Sequence, residues 1–319
     1  MELILKGSKT IFKQILFIIS FCFLNIYAQD STSIKLGFVS DTQQPIWIEK
    51  FFLDANNNKI ATDAIFKSLI EKENISNLFH LGDMTAFGMF AGEWEWMDIH
   101  LTKLRQTKIP IYPALGNHDY FLFKDYALAQ FRKRFPEMKG TWYAVRIENL
   151  AVIILNSNYS RLSDDEIEKQ KKWYVNKVNE LEIDSTVNAI VVGVHHSPYT
   201  NSRVVDPSED VQNDFVPVFV NSKKGKVFIS GHAHAFEHFR RSSKDFLVIG
   251  GGGGLQHPLL MGTSQRWQDL FPIPISLRMF HYVVCELNRA NLKFRVMMLN
   301  PDFKTFQLVD EIDIGLKND

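Results

Sequence analysis

Residues Ile111–Asp119 read IYPALGNHD, a short apolar run followed at once by an amide, an imidazole and a carboxylate. The apolar part has the length of a buried β-strand, and the polar part falls where that strand would end. Four further apolar runs end in the same manner: Ile34–Val39, Leu78–Leu81, Ala189–Val194 and Val227–Ser230. Stretches with helical periodicity separate several of these runs, so the order of elements predicts an α/β fold.

Polar clusters follow all five predicted strands. They are Asp41-Thr42-Gln43, Gly82-Asp83, Gly116-Asn117-His118-Asp119, His195-His196-Ser197-Pro198 and Gly231-His232-Ala233-His234. Loops at the carboxyl ends of parallel strands gather on one rim of a sheet. We therefore expect side chains that are far apart in sequence to converge on one place.

The converging side chains are carboxylates, amides and imidazoles, without a thiolate. These donors suit Mn, Fe, Zn or Mg better than a structural thiolate site. The clusters offer too many candidate ligands for one ion and about enough for two. Paired divalent ions roughly 3.5–4 Å apart are a known arrangement for phosphoryl displacement.

In this order the clusters resemble the motifs of the calcineurin-like metallophosphoesterases, which run D-x-H or D-x-Q, GD, GN-H-D or GN-H-E, H and GH-x-H. Gly231–His238 is similar to the purple acid phosphatase branch, as are Trp142-Tyr143, Leu150–Asn156 and Gln170–Trp173. Five motifs in order, each after a strand, are far more specific than any one alone. The resemblance, which extends over about residues 34–299, implies an α/β four-layer sandwich of two mixed β-sheets flanked by helices.

The resemblance also implies the roles of the site residues. The ligands of a first ion would be Asp41, Gln43 and His234, those of a second would be Asn117, His196 and His232, and Asp83 would bridge the two. A hydroxide held between the ions would attack a phosphate monoester or diester. His118 would protonate the leaving group, and Asp119 would orient His118 by accepting its other N–H.

Two positions depart from the family pattern. Gln43 stands where the commonest first motif has His, and a neutral amide oxygen should hold the first ion less tightly. Ala86 stands where the purple branch has an iron-binding Tyr three residues after the bridging Asp. We therefore expect no tyrosinate–iron colour, and the ions could be Mn, Fe, Zn or Mg.

Several residues near the motifs have two interpretations. Strand alternation would place His195 and His196 on opposite faces, and the H-x-P pattern favours His196 as the ligand. Trp94 and Trp96 fit a substrate wall and core packing equally well. The glycine run Gly250–Gly254 is predicted to bring backbone close to a site or to bend the chain sharply.

The N-terminus resembles a secretory signal peptide over residues 1–28. Lys6, Lys9 and Lys13 precede an apolar stretch, Ile15–Ile26, and Ala28 is a suitable cleavage position. An uncleaved anchor is the alternative, but the stretch is shorter than the ~20 residues of a spanning helix. The sequence thus predicts an exported, periplasmic or secreted protein with no stable membrane insertion after cleavage, and residues 29–319 as one metallophosphoesterase domain.

Charge and composition narrow the partners. The chain of 319 residues has 36 basic and 36 acidic residues, which argues against a broad nucleic-acid-binding surface. The expected partner is a small-molecule phosphate ester. One alternative is a phosphodiesterase acting on nucleotides or phospholipid head groups. Another is a non-catalytic binding module on the same fold, which would be expected to lose ligands or His118. The sequence predicts no oligomeric state.

Overall fold

The computed structural model describes residues 33–46 and 57–316. The predicted signal peptide lies outside these ranges and stays a prediction. The described residues from Ile34 onward belong to one compact unit. No helix within the two described ranges is both long enough and apolar enough to span a bilayer.

The described part of the chain contains twelve strands and six α-helices. The strands are β1 (Ile34–Val39), β2 (Asn77–His80), β3 (Ile111–Pro113), β4 (Tyr143–Ile147), β5 (Leu150–Ile154), β6 (Ala189–Val194), β7 (Gly225–Ser230), β8 (Phe236–Arg241), β9 (Lys244–Ile249), β10 (His281–Leu287), β11 (Asn291–Leu299) and β12 (Phe306–Gly315). The helices are α1 (Asn58–Lys67), α2 (Glu95–Gln106), α3 (Lys124–Arg134), α4 (Asp164–Ile183), α5 (Glu209–Asp214) and α6 (Val216–Asn221). A π-helical turn, Ser68–Lys72, continues α1.

The strands form two mixed sheets of six. The first has the order β12-β11-β10-β1-β2-β3, in which β1, β2 and β3 are parallel and the other pairs are antiparallel. The second has the order β4-β5-β6-β7-β9-β8, with β5, β6, β7 and β9 parallel and an antiparallel strand at each edge. Each sheet therefore presents several strand ends along one rim.

The two sheets pack face to face on a core of alternating apolar side chains. Phe38 of β1 and Phe79 of β2 stack with ring centroids 5.0 Å apart and share this core with Val191 and Ile229 of the second sheet. Helices α1 to α3 cover the outer face of the first sheet, and α4 to α6 cover that of the second. This confirms the predicted four-layer α/β sandwich.

Candidate metal centre

The predicted polar clusters meet where β1, β2 and β3 of one sheet and β6 and β7 of the other end. The Asp41 N–H donates to the Gly82 carbonyl at 3.0 Å, which joins the first two loops. The His232 N–H reaches across from the second sheet to the Asp41 carboxylate at 2.9 Å. The His118 N–H donates to Asp83 Oδ1 at 2.8 Å. Parallel strand order and these contacts bring all five motifs together.

Within the described ranges the ligating atoms fall into two groups. Asp41, Asp83 and His234 form an acidic cluster, in which the candidate ligand atoms all lie within 4.8 Å of one another. His195, His196 and His232 form an imidazole cluster that meets the same criterion. Each group could hold one ion.

Gln43 belongs with the acidic cluster. Its Nε2 lies 3.2 Å from His234 Nε2 and 3.4 Å from Asp83 Oδ2, while its Oε1 is buried without a hydrogen-bond partner. Rotation of the side-chain amide by half a turn exchanges the positions of Nε2 and Oε1. The opposite orientation turns the amide oxygen toward Asp83 and His234, as a metal ligand requires.

The imidazole cluster contains both neighbouring histidines that follow β6. The ring centroids of His195 and His196 lie 4.9 Å apart, and those rings lie 5.1 Å and 4.5 Å from His232. The expectation that His195 points away is therefore wrong, because β6 ends at Val194 and strict alternation ends with it. His195 Nε2 lies 3.0 Å from Asn117 Oδ1 and 3.3 Å from Asp83 Oδ2.

Hydrogen bonds orient two of the predicted imidazole ligands. His234 Nδ1 donates to the Leu255 carbonyl at 2.7 Å, and that carbonyl can only accept. His196 Nδ1 lies 2.9 Å from Ser157 Oγ. Because Nδ1 of each ring is engaged in a hydrogen bond, Nε2 is the nitrogen that faces the cluster. Metal-binding histidines are commonly oriented in this way by a hydrogen bond from the ring nitrogen that does not bind the metal.

Burial and neighbouring charges set the protonation states of the site. Burial would raise the pKa of Asp83, but His195 outweighs it and holds the pKa well below its usual range. Burial, together with the nearby His195, lowers the pKa of His196 to about 3. Burial and the other two rings hold the pKa of His232 well below its usual value. Asp83 is therefore ionised and His196 and His232 are neutral, which are the forms that bind metal. Burial would lower the pKa values of His195 and His234 as well, but Asp83 raises the pKa of His195 to about 9 and Asp41 raises that of His234.

The backbone is strained at three of the predicted ligands. Asp41, Asp83 and His232 have positive φ values of 59°, 54° and 66°. Residues other than glycine adopt this left-handed region rarely, and such strain is concentrated at functional sites. The strained conformation of these residues lowers the stability of the fold, and it directs their side chains into the site.

Glycines make the close approach possible. A Cβ on Gly116 would lie 2.0 Å from Asp83 Oδ1, and one on Gly254 would lie 2.5 Å from His234 Cε1. The Gly254 N–H donates to the Asp41 carbonyl at 2.7 Å. The prediction that the run Gly250–Gly254 brings backbone close to a site is confirmed.

His118 and Asp119 are both at the site, but the predicted contact between them is wrong. His118 Nδ1 donates to the Ala86 carbonyl at 3.0 Å. The Asp119 carboxylate instead accepts backbone N–H groups, from Asp83 at 2.8 Å and Gly116 at 2.9 Å among others. Asp119 therefore fixes the loop that carries Asp83, and the carbonyl of Ala86 orients His118.

The residues present fit two divalent ions. Oxygen and nitrogen donors cluster in two adjacent groups, and the amide of Gln43 lies against the acidic cluster, where a half-turn of the amide presents its oxygen to a cation. The ligands expected from the sequence all lie at this site: Asp41, Gln43, Asp83, Asn117, His196, His232 and His234.

The sequence model of the calcineurin-like phosphoesterases matches residues 34–236 of the chain. The chain belongs to this family. No protein among those of curated function matches it in sequence.

Solved structures with the same fold include members of this family. The purple acid phosphatase PPD1 of yellow lupin has a TM-score of 0.70 and 14% identity, over 90% of this chain and 54% of that chain. GAP50 of Plasmodium has a TM-score of 0.68 and 14% identity, over 90% of both chains. A dimetal phosphatase of Danio rerio has a TM-score of 0.55 and 12% identity, over 89% of this chain and 99% of that chain. At these identities the likeness establishes the fold alone.

Two further residues of the site, His257 and Ser157, lie outside the family motifs and were not predicted as site residues. The His257 ring stacks on His234 with centroids 4.2 Å apart, and its Nδ1 accepts the His234 N–H at 3.1 Å. Ser157 supports His196. Position alone could have indicated them, because His257 follows the glycine run and Ser157 follows the end of β5.

The two tryptophans with an open interpretation have different environments. Trp94 is fully buried, donates its indole N–H to the Gly88 carbonyl at 2.8 Å and packs under Arg134. Trp96 is half-buried and lines a cavity that begins beside Ala86. Trp94 therefore belongs to the core, and Trp96 remains a candidate wall of the site.

Proposed function

We propose that this family member is an exported, dinuclear-metal phosphoesterase that hydrolyses a phosphate monoester or diester. The observation that carries the proposal is the pair of adjacent ligand clusters, with His118 at their edge. Both clusters are complete, and the backbone is strained to present them.

The acidic cluster with Gln43 would hold one ion, the predicted imidazoles with Asn117 would hold the other, and Asp83 would touch both. When bound, two such ions supply a water of lowered pKa and neutralise charge on the phosphoryl group. The chain supplies positioning through Asp119, which holds the Asp83 loop. His118 supplies the proton. Its Nδ1 is held by Ala86, so Nε2 is the atom that donates to the leaving oxygen.

A binding module on the same fold is the second candidate. GAP50, which covers 90% of this chain, is described as the anchor in the inner membrane complex of Plasmodium. Catalysis is favoured here because every predicted ligand position and His118 are filled by suitable side chains.

The deciding experiment is an activity screen of apo protein reloaded separately with Mn, Fe, Zn or Mg, against a panel of mono- and diesters. We expect turnover with at least one metal, and the preferred ester defines the class. Binding of two ions without turnover of any ester would favour the binding module. Asp245→Asn, which removes a buried carboxylate away from both clusters, is the matched control.

Export forms part of the proposal and rests on residues 1–28. Mass spectrometry of the protein from its native host should find an N-terminus near Gln29. A full-length product retained in membranes would support the anchor alternative.

A further inference from the structure

The cavity at His118 leads into a second, larger one. A cavity of about 50 Å³ lies against Gln43, Ala86, His118 and His234. A cavity of about 350 Å³ adjoins it. The two share the walls formed by Gln44, Pro45, Ile46 and Ala86. Because His118 is the proposed proton donor, its side of the site is the side on which the leaving group would lie.

The walls of the larger cavity are aromatic. Phe87 and Trp96 line it, and both are half-buried. Phe87 packs edge-on against Phe121 with centroids 5.2 Å apart, and Phe121 in turn lies 6.2 Å from the ring of His118. An unbroken aromatic surface therefore runs from the proposed acid to the second cavity. Lys59 Nζ lies 4.4 Å from the centroid of the Trp96 ring and makes a cation–π contact with one of its faces.

Two lining residues of this larger cavity carry polar atoms without partners. Trp96 Nε1 and Gln44 Nε2 are buried, and neither makes a hydrogen bond. Buried donors in native proteins are almost always paired with protein or water, so an unpaired donor in a cavity wall is free to bind an acceptor of a ligand. Apolar aromatic walls with a few polar groups are typical of small-molecule sites.

We infer that the larger cavity binds the leaving group of the substrate, and that this group carries a planar heteroaromatic ring with hydrogen-bond acceptors, such as a nucleobase. The inference rests on the proposed function for the position of the phosphate, and it adds the chemistry of the group attached to it. Trp96 and Phe87 are specificity-determining residues, and Ala86, with only a methyl group, lies between the phosphate and the ring.

The test uses the metal-loaded protein and two esters with the same leaving oxygen. Adenosine 5′-monophosphate and ribose 5-phosphate differ only in the base, so the ratio of their kcat/KM values measures what the base contributes. We expect the wild type to prefer the nucleotide by about 10-fold or more, as one base–aromatic contact allows. Trp96→Ala should abolish most of this ratio, and Trp96→Phe should retain most of it.

A matched control is Tyr126→Ala, which removes an exposed aromatic side chain that lines neither cavity. It should leave the ratio unchanged. Loss of the ratio in Tyr126→Ala and Trp96→Ala alike, or equal kcat/KM for both esters in the wild type, would overturn the inference while leaving the proposed function intact.

Binding of the leaving group alone separates the two proposals. Saturation-transfer NMR with adenosine, and with ribose as its control, needs no turnover. If no ester of the panel is hydrolysed but adenosine binds the wild type and not Trp96→Ala, the cavity assignment holds and the proposed function fails. If the esters are hydrolysed and adenosine does not bind, the cavity assignment fails.

Discussion

The protein has a second group of buried charges besides the metal centre. We call it the Arg278 cluster, and it consists of Glu237, Asp269 and Arg278. The two groups differ in how their charges are paired. Arg278 Nη2 lies 2.7 Å from Asp269 Oδ2, and both side chains are almost fully buried. Asp269 Oδ1 also accepts the backbone N–H groups of His238 and Phe271, and Glu237 accepts the Asn201 N–H at 2.7 Å. The cluster supplies its own counter-charge.

The metal centre does not pair its charges in this way. Asp41 and Asp83 lie in one cluster, three imidazoles crowd together beside them, and three of the residues have positive φ. Buried charges are tolerated when they are paired or bind metal. The carboxylates Asp41 and Asp83 lie beside imidazoles, which are common metal ligands, and strained backbone holds them there. This combination indicates a bound ion, whereas Asp269 is paired with an arginine, which stays protonated, and therefore has a structural role.

The largest effect is expected for Asp83→Asn. A carboxamide keeps the shape and can still accept the His118 N–H, but it cannot serve both ions as a carboxylate does. Activity should be nearly lost and metal content should fall, while the circular dichroism spectrum stays unchanged. Asp245→Asn should retain metal and rate. A fully metallated and active Asp83→Asn would remove Asp83 from the ligand set.

His118→Ala should keep both ions and lose ~100- to 10,000-fold in rate, which is the usual contribution of a positioned acid. The loss should be larger for alkyl than for nitrophenyl phosphates, because a poor leaving group needs the proton more. His100→Ala, which changes a buried histidine of α2, is the control and should retain the rate. Equal losses on both ester types would show that His118 does not protonate the leaving oxygen.

Much of this arrangement could be predicted from apolar runs and the residues that follow them. The bounds of β1 and β6 agree with prediction. The sequence Ser163-Asp164-Asp165-Glu166 also has the capping-box pattern, and this box begins α4. Strand β12 was missed because its acidic residues hide the alternation of a partly exposed edge strand. Strand β8 was missed because charged residues occupy both ends of FEHFRR.

Contacts between distant loops could not be predicted. Two of these contacts depend on how the loops fold over one another. His118 binds the Ala86 carbonyl, and the Asp119 carboxylate accepts four backbone N–H groups. Backbone groups leave no signature in the sequence. The position of His195 was wrong for a related reason, since side-chain alternation holds only within a strand.

Arg278→Met tests the structural cluster. It leaves Asp269 buried without a counter-charge, and breaking a buried pair on one side typically costs ~3–5 kcal/mol. The free energy of unfolding from urea titration should fall by that amount, whereas metal content per folded molecule should not change. The double variant Arg278→Met with Asp269→Leu should recover part of the loss. Loss of metal from folded Arg278→Met would show that metal binding depends on the Arg278 cluster, and the distinction between the two regions would then be wrong.

Glu237→Gln should change the pH dependence of stability. Burial raises the pKa of Glu237 from 4.5 to about 7, against hydrogen bonds from Thr200 and Asn201. Because the pKa is higher in the folded state, stability is greatest below pH 4.5 and falls as pH rises through about 7. The variant should lack this fall, a difference of ~1–3 kcal/mol at pH 8. Parallel pH profiles of both proteins would show that Glu237 does not titrate in this range.

The smallest effect is expected at Gln43, where the metal centre itself departs from the family pattern. An amide oxygen donates less charge than an imidazole, and no partner raises its basicity. The acidic cluster should therefore hold the weaker ion and favour Mn or Mg over Zn. Gln43→His should tighten that ion by about 10-fold in calorimetric Mn titrations. Gln106→His, at the exposed C-terminal end of α2, is the control and should leave both affinities as they are. If Gln43→His also binds both ions with unchanged affinities, the buried amide of Gln43 is not a ligand, and its unpaired oxygen needs another partner.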